Sequence, residues 1–368
     1  MKEDVGYRTV QSAGRGSFII SLPKKWIQEI GIGKGSQIAI KIMEDMSLIL
    51  VPRKIEEERT NKVAGRSGEY YIKVNQKSDP RSLCRRVISL YVASSEIIHL
   101  NFAAVENSKK FRTVVTNLAK SLLLGTEIIE ETSEKMTLQV LINHPELPID
   151  KAIRRMANLS LSAHKDAIAA LGNLNKDFKH GIYETKNDVD RINLYVVRQL
   201  KFGIKQNLFR DWGFKTSKEF LGYRLVANDI KNIAENALTI GRNTETLRRL
   251  IDEKLLGLRE LVDEEAYSQI EAFSSLAEQL FEESLGSLFN RDYEQADRII
   301  SRTESFLVLE NDLITLMFNK KMDPNLLSIY RLVLDNSRRI VEYSREIAEV
   351  TLNRTVEETS LTVAEGLV

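Results

Sequence analysis

Cysteine is nearly absent. Cys84 alone among 368 residues excludes a disulfide within the chain. Proline is scarce, six in all, and glycine reaches only eighteen, so little interrupts long helices. No apolar run attains the roughly 20 residues a membrane-spanning helix requires. The opening MKEDVGYRTV carries none of the apolar stretch of a secretory signal. Together these absences lead to the expectation of a reducing, cytoplasmic setting. What is present is a globular composition, 43% hydrophobic and 29% charged, at a length that suggests two or three domains.

The net charge of +1 conceals an asymmetry. Residues 1–54 hold nine Lys or Arg against five Asp or Glu, while the remainder holds 44 against 47. Only the front of the chain therefore leans toward polyanions such as a phosphate backbone.

That front segment reads as strand, strand, helix, strand, strand. Arg8–Gln11 and Phe18–Ser21 flank the turn Ser12-Ala13-Gly14-Arg15-Gly16. Pro23 suits the first turn of a helix, where its missing N–H costs nothing, and Gly31 suits the left-handed stop after Ile30. Ile38, Ile40 and Ile42 alternate at period two, and Ser47–Val51 is a short apolar strand. Glu44-Asp45-Met46 is the expected hairpin turn. A domain this small buries too little to stand alone. Ile19, Ile38, Ile40, Ile42, Leu48 and Leu50 need an apolar partner, so a homodimer is expected.

Residues 69–143 alternate in the order βαβαββ, which implies a small α/β layer with no assignable chemistry. Residues 149–356 repeat apolar positions at helical spacing, as in Ile153, Met156, Leu159, His164, Ile168 and Leu171. Six helices are expected, near 149–174, 181–212, 215–244, 246–290, 292–320 and 324–356. Asn232-Ile233-Ala234-Glu235 has an echo in Ile347-Ala348-Glu349, consistent with a duplicated three-helix unit. The expected organisation is thus a front domain 1–54, an α/β domain 55–148, a helical domain 149–356 (repeats about 149–244 and 246–356), and a tail 357–368.

Gly14-Arg15-Gly16-Ser17-Phe18 through Leu22-Pro23-Lys24-Lys25-Trp26, then Gly31-Ile32-Gly33-Lys34-Gly35-Ser36 and Ser47-Leu48-Ile49-Leu50-Val51-Pro52, resembles the AbrB/SpoVT swapped-hairpin family. Ser36 departs from that pattern where an acid is common, and Asp45-Met46 departs where Asp-Gly is expected. The resemblance implies a dimeric β-barrel that binds double-stranded DNA through basic residues matching Arg8, Arg15, Lys24 and Lys25. Taken without it, those four are equally readable as solvated charges.

The helices, with Asn232-Ile233-Ala234-Glu235 at the end of the third, resemble the PhoU phosphate-uptake regulators. That family carries acids one and two turns before the motif. Here those positions hold Arg224 and Asn228 in the first repeat, and Arg338 and Glu342 in the second. Arginine is permanently cationic, so no metal is expected, and Arg224 and Arg338 are expected to pair with acids such as Asp190 or Glu310. No cofactor or catalytic residue is expected either. Gly31–Ser36 lacks the spacing of a phosphate loop. His99, His144, His164 and His180 show no ligand spacing. Cys84, beside Arg85 and Arg86, has the neighbours that lower a thiol pKa but no catalytic partner. Two functions follow: a regulator of phosphate uptake that binds DNA and senses through its helices, or an adaptor that only dimerises at its front and docks its helices on a phosphate transporter or signalling kinase.

Overall fold

The computed structural model describes residues 7–14, 16–42, 48–53, 68–142, 147–173, 178–253, 263–320 and 322–365. They fall into two compact units, 1–68 and 69–368, so the α/β layer and the helices share one unit.

In the front unit, β1 (Gln11–Ser12) pairs antiparallel with β2 (Phe18–Ile19). Helix α1 (Lys24–Glu29) follows Pro23, and the chain turns at Gly31 with φ +65°. Strands β3 (Ile38–Ile42) and β4 (Leu48–Pro52) then pair antiparallel, with Ile40 opposite Leu50. The first two strands span two residues each, shorter than the sequence suggests. The expected turn at Glu44-Asp45-Met46 lies outside the described residues. Ser36, where the family pattern favours an acid, accepts the Gly33 N–H at 3.1 Å and closes the same turn with a hydroxyl.

The second unit opens with the expected βαβαββ order: β5 (Glu69–Asn75), α2 (Pro80–Val92), β6 (Ile97–Ala104), α3 (Lys109–Leu122), β7 (Thr126–Glu131) and β8 (Lys135–Val140). The sheet order is β5-β6-β8-β7, parallel between β5 and β6 and antiparallel elsewhere. Asp79 caps α2 by accepting the Ser82 N–H at 2.8 Å. Ile72, Val74, Ile98, Leu100, Phe102, Met136 and Leu138 form one sheet face, buried beneath Val87, Tyr91 and Val115 of the two helices. On the other face Tyr71, Lys73 and Asn101 are exposed, His99 is half-buried and Thr137 is buried.

Six further helices follow: α4 (Ile149–Asn173), α5 (Phe178–Gln206), α6 (Glu219–Asp252), α7 (Glu264–Asn290), α8 (Tyr293–Asn319) and α9 (Pro324–Glu365). Within each consecutive three, every helix packs on the other two. The triplets meet through α6 against α9 and α4 against α7. Boundaries marked by strong local chemistry fall where the sequence puts them. Asp323, for example, accepts the Asn325 N–H at 2.7 Å to start α9 behind Pro324. Others differ. Helix α5 stops at Gln206 because Asn207 turns left-handed, φ 58°, and residues 207–218 form an aromatic-rich loop instead. Helix α6 runs past 244 because nothing there breaks it, and buried Thr244 bonds back to the Ile240 carbonyl at 3.1 Å. Helix α9 continues beyond 356, into the expected tail. No helix among the described residues is long and apolar enough to cross a membrane.

Buried Arg198 of α5 joins the α/β layer to the helices. Its guanidinium donates to the Tyr91 carbonyl at 2.6 Å and lies 5.0 Å over the Tyr91 ring. Ser94 donates back to the Arg198 carbonyl at 3.2 Å. Burial pushes the Tyr91 phenol up to about 12, so it stays a neutral donor to the Leu124 carbonyl.

Candidate functional site

In the front unit, the side chains of Arg8, Lys24 and Lys25 are exposed. The Arg8 guanidinium donates to the Tyr7 carbonyl at 3.1 Å. Arg15 lies outside the described residues. Its flanking glycines both adopt positive φ, +66° at Gly14 and +82° at Gly16, a conformation that admits almost no other residue cheaply. The Ala13 N–H to Ser17 carbonyl bond, 2.9 Å, closes the turn. The apolar side chains are exposed too: Phe18 by 74%, Ile40 by 63% and Leu48 by 59%, with Val51 buried. So large an apolar surface on so small a unit marks an interaction face.

The helical unit holds its charge inside. Glu219, at the start of α6, is buried and accepts the Lys215 and Thr216 N–H groups at 2.5 and 3.0 Å. Arg354 of α9, also buried, pairs with Glu219. It also donates to the Tyr223 hydroxyl at 3.1 Å and the Leu288 carbonyl at 3.0 Å. Arg291 approaches Glu219 to 3.8 Å. The cluster ties the first helical triplet to the second. Glu219 and Arg354 are 135 positions apart, with no shared motif to reveal them from sequence.

Arg338 sits as expected, 3.3 Å from Glu310, and it also binds Asp335 at 2.8 Å and Glu342. Arg224 does not pair with Asp190. Lys186 takes that carboxylate at 2.7 Å and reaches Glu235 at 3.2 Å, because one turn along α5 is a shorter reach than the gap between helices. The carboxylates near the PhoU motif positions are thus engaged by Arg338 and Lys186. Among the described residues no group of three His, Cys, Asp or Glu stands together to hold a metal ion. Cys84 corrects the sequence expectation. Burial raises its pKa, Asp79 adds to the rise, and Arg85 only opposes it.

Two buried acids sit where the helical triplets meet. Burial pushes the Asp229 carboxyl of α6 up to about 8, with hydrogen-bonded Glu346 of α9 adding to the rise and Arg224 opposing it. Between the ordinary carboxylate range and pH 8 the folded chain keeps this proton and the unfolded chain does not, so stability falls as pH rises through that window. Asp229→Asn removes the titration. Its unfolding free energy is expected to exceed the parent's near pH 8, by at most on the order of 1.4 kcal/mol per pH unit crossed, and to match it near pH 4. Denaturation midpoints across pH check this. His164 of α4 and Glu278 of α7, 3.8 Å apart, add little slope. Burial holds the imidazole down at about 4 and pushes the carboxyl up to about 7. Their opposite linkages cancel where the windows overlap, and near neutrality the imidazole is uncharged.

On the open sheet face Tyr71 and His99 stack at 4.5 Å. The His99 Nδ1 meets the Thr137 hydroxyl at 3.1 Å, and that hydroxyl donates to Glu130 at 3.1 Å. His144 lies outside the described residues, as does the side chain of His180.

With this geometry in place, two segments of the chain match known families. Residues 11–58 match the family model described as antidote-toxin recognition MazE, bacterial antitoxin. Residues 153–244 match the model of the PhoU domain. The chain is MazE/AbrB-like at its front and PhoU-like in its helices. The PhoU-like match spans α4 to α6, the first triplet. The crystal structure of PhoU from Pseudomonas aeruginosa aligns with 57% of this chain and 96% of its own, at 13% identity and a TM-score of 0.42, a likeness too distant to carry an argument. No curated protein matches the chain significantly.

Proposed function

We propose that the chain is a DNA-binding transcriptional regulator in phosphate homeostasis, dimeric through its front domain and cytoplasmic. The organisation we propose is a DNA-binding and dimerisation domain over 1–54, an α/β domain over 55–148 and a duplicated three-helix domain over 149–356. The observation that carries the reading is the front unit's pairing of exposed Phe18, Ile40 and Leu48 with exposed Arg8, Lys24 and Lys25. Apolar strands that need a second copy bring with them a second set of cations. The MazE/AbrB-like match supports the same assignment, and the PhoU-like segment supplies the link to phosphate and to a transporter or kinase as partner.

The test is a mobility shift with the full chain. Arg15→Ala should weaken binding to every duplex alike, since a phosphate contact carries no sequence preference. Ile40→Glu should convert the dimer to monomer in sedimentation and abolish the shift. A parent chain that sediments as a dimer but shifts no duplex would favour the adaptor reading, in which the front only dimerises.

A further inference from the structure

Where the α/β layer hands over to the helices there is a cavity of about 270 Å³, at the small end for small-molecule sites. Its lining includes Ile149 and Asp150 at the start of α4, Gln199 on α5, and Asp211, Trp212 and Phe214 in the loop that ends α5 early. Ile149, Gln199 and Phe214 are buried, Trp212 is half-buried, and Asp150 and Asp211 are exposed. Two features distinguish it from a packing defect. Gln199 is only 1% exposed, yet neither its amide oxygen nor its amide nitrogen has a hydrogen-bond partner among the described residues. A buried amide left so costs about 1–3 kcal/mol unless a ligand or water completes it. The second feature is charge: two carboxylates line the cavity, and no Lys or Arg among the described residues does.

These features choose the ligand class. Inorganic phosphate would meet two negative charges. The α4 N-terminus offers only about half a positive charge against them. A cation meets the opposite: carboxylates with the aromatic residues Trp212 and Phe214, the composition that receives ammonium groups. The uncharged amide of Gln199 asks for a hydroxyl or carbonyl at the ligand's other end. Trp212 is well placed because α5 makes room for it. A side chain at Gly203 would stand 2.5 Å from the Trp212 ring.

We propose that this cavity binds a small organic cation, an ammonium compound carrying a hydroxyl or carbonyl group. The site also has a route to the rest of the helices. Asp150 accepts a hydrogen bond from the Tyr223 hydroxyl, which in turn receives Arg354. The cation therefore sits two side chains from the Glu219–Arg354 pair.

The sequence supplies the assay. Its tryptophans are Trp26 and Trp212, so the full chain carrying Trp26→Phe reports on the cavity through Trp212 emission alone. Choline, ethanolamine and tetramethylammonium are titrated against 3,3-dimethyl-1-butanol, the uncharged counterpart of choline, and against inorganic phosphate. The expected result is a saturable change with choline or ethanolamine, at least about tenfold weaker with the uncharged alcohol, which is about 1.4 kcal/mol. Asp211→Asn should weaken the ammonium compounds by a similar factor and leave the alcohol unchanged. Gln199→Leu should abolish the preference for choline over tetramethylammonium. The proposal is overturned if no ammonium compound gives a saturable change, if the alcohol or phosphate binds as well as choline, or if Asp211→Asn leaves the ammonium compounds unaffected.

Discussion

Replacing Arg354 by leucine is expected to lower the unfolding free energy of the helical unit by about 3–5 kcal/mol, the usual consequence of stranding one partner of a buried ion pair. The group left with only Arg291, 3.8 Å away, is Glu219, whose carboxylate also holds the Lys215 and Thr216 N–H groups. Losing Arg354 further leaves the Leu288 carbonyl without its 3.0 Å donor. The measurement is a denaturant midpoint followed by helical circular dichroism, with an unchanged slope showing that stability and not cooperativity moved. The double replacement Glu219→Met with Arg354→Met should recover much of the loss, because removing both charges removes the desolvation cost with the attraction. Recovery should be incomplete, since methionine gives the Lys215 and Thr216 N–H groups no carboxylate to donate to. A midpoint for R354L equal to the parent's would contradict the buried pairing.

The second large effect is on DNA. In the DNA-binding dimer proposed above, two copies of Arg8, Arg15, Lys24 and Lys25 would offer up to eight phosphate contacts. Contacts of that number imply a fall in affinity of roughly a thousand- to a hundred-thousand-fold between 50 and 200 mM salt. Anisotropy of a labelled duplex measures it. Arg15→Ala removes one contact from each copy, so the logarithmic salt slope should drop by about two per dimer. A flat salt response, or an R15A slope identical to the parent's, would remove the phosphate-contact basis of the regulator.

The sequence shows most plainly what is decided locally. Pro23 with Gly31, and Asp79 and Asp323 before their prolines, set helix ends through groups one to three residues away, and the structure keeps them. The period-two isoleucines of β3 and the βαβαββ layer are legible for the same reason. What escapes is decided across the fold. The α5 stop at Gln206 turns on Asn207 taking a left-handed φ of 58°, which asparagine tolerates but does not require. Asp190 pairs with Lys186 of its own helix rather than with Arg224, an outcome set by the spacing between α5 and α6. Cys84 shows why neighbours in sequence mislead: Arg85 and Arg86 follow it directly, yet they project from the helix toward solvent while the thiol turns toward the core. Gln199 looked like any polar residue on an amphipathic helix, and only burial makes its amide conspicuous.

Among the described residues the four-stranded sheet ends in two unpaired margins, β5 and β7. An open margin offers its backbone to any passing strand and can seed aggregation. β7, Thr-Glu-Ile-Ile-Glu-Glu, carries Glu127, Glu130 and Glu131, and β5 presents Glu69 and Lys73. Another molecule's β7 would have to bring like charges face to face. The β7 margin is thereby guarded against adding its own copy strand by strand.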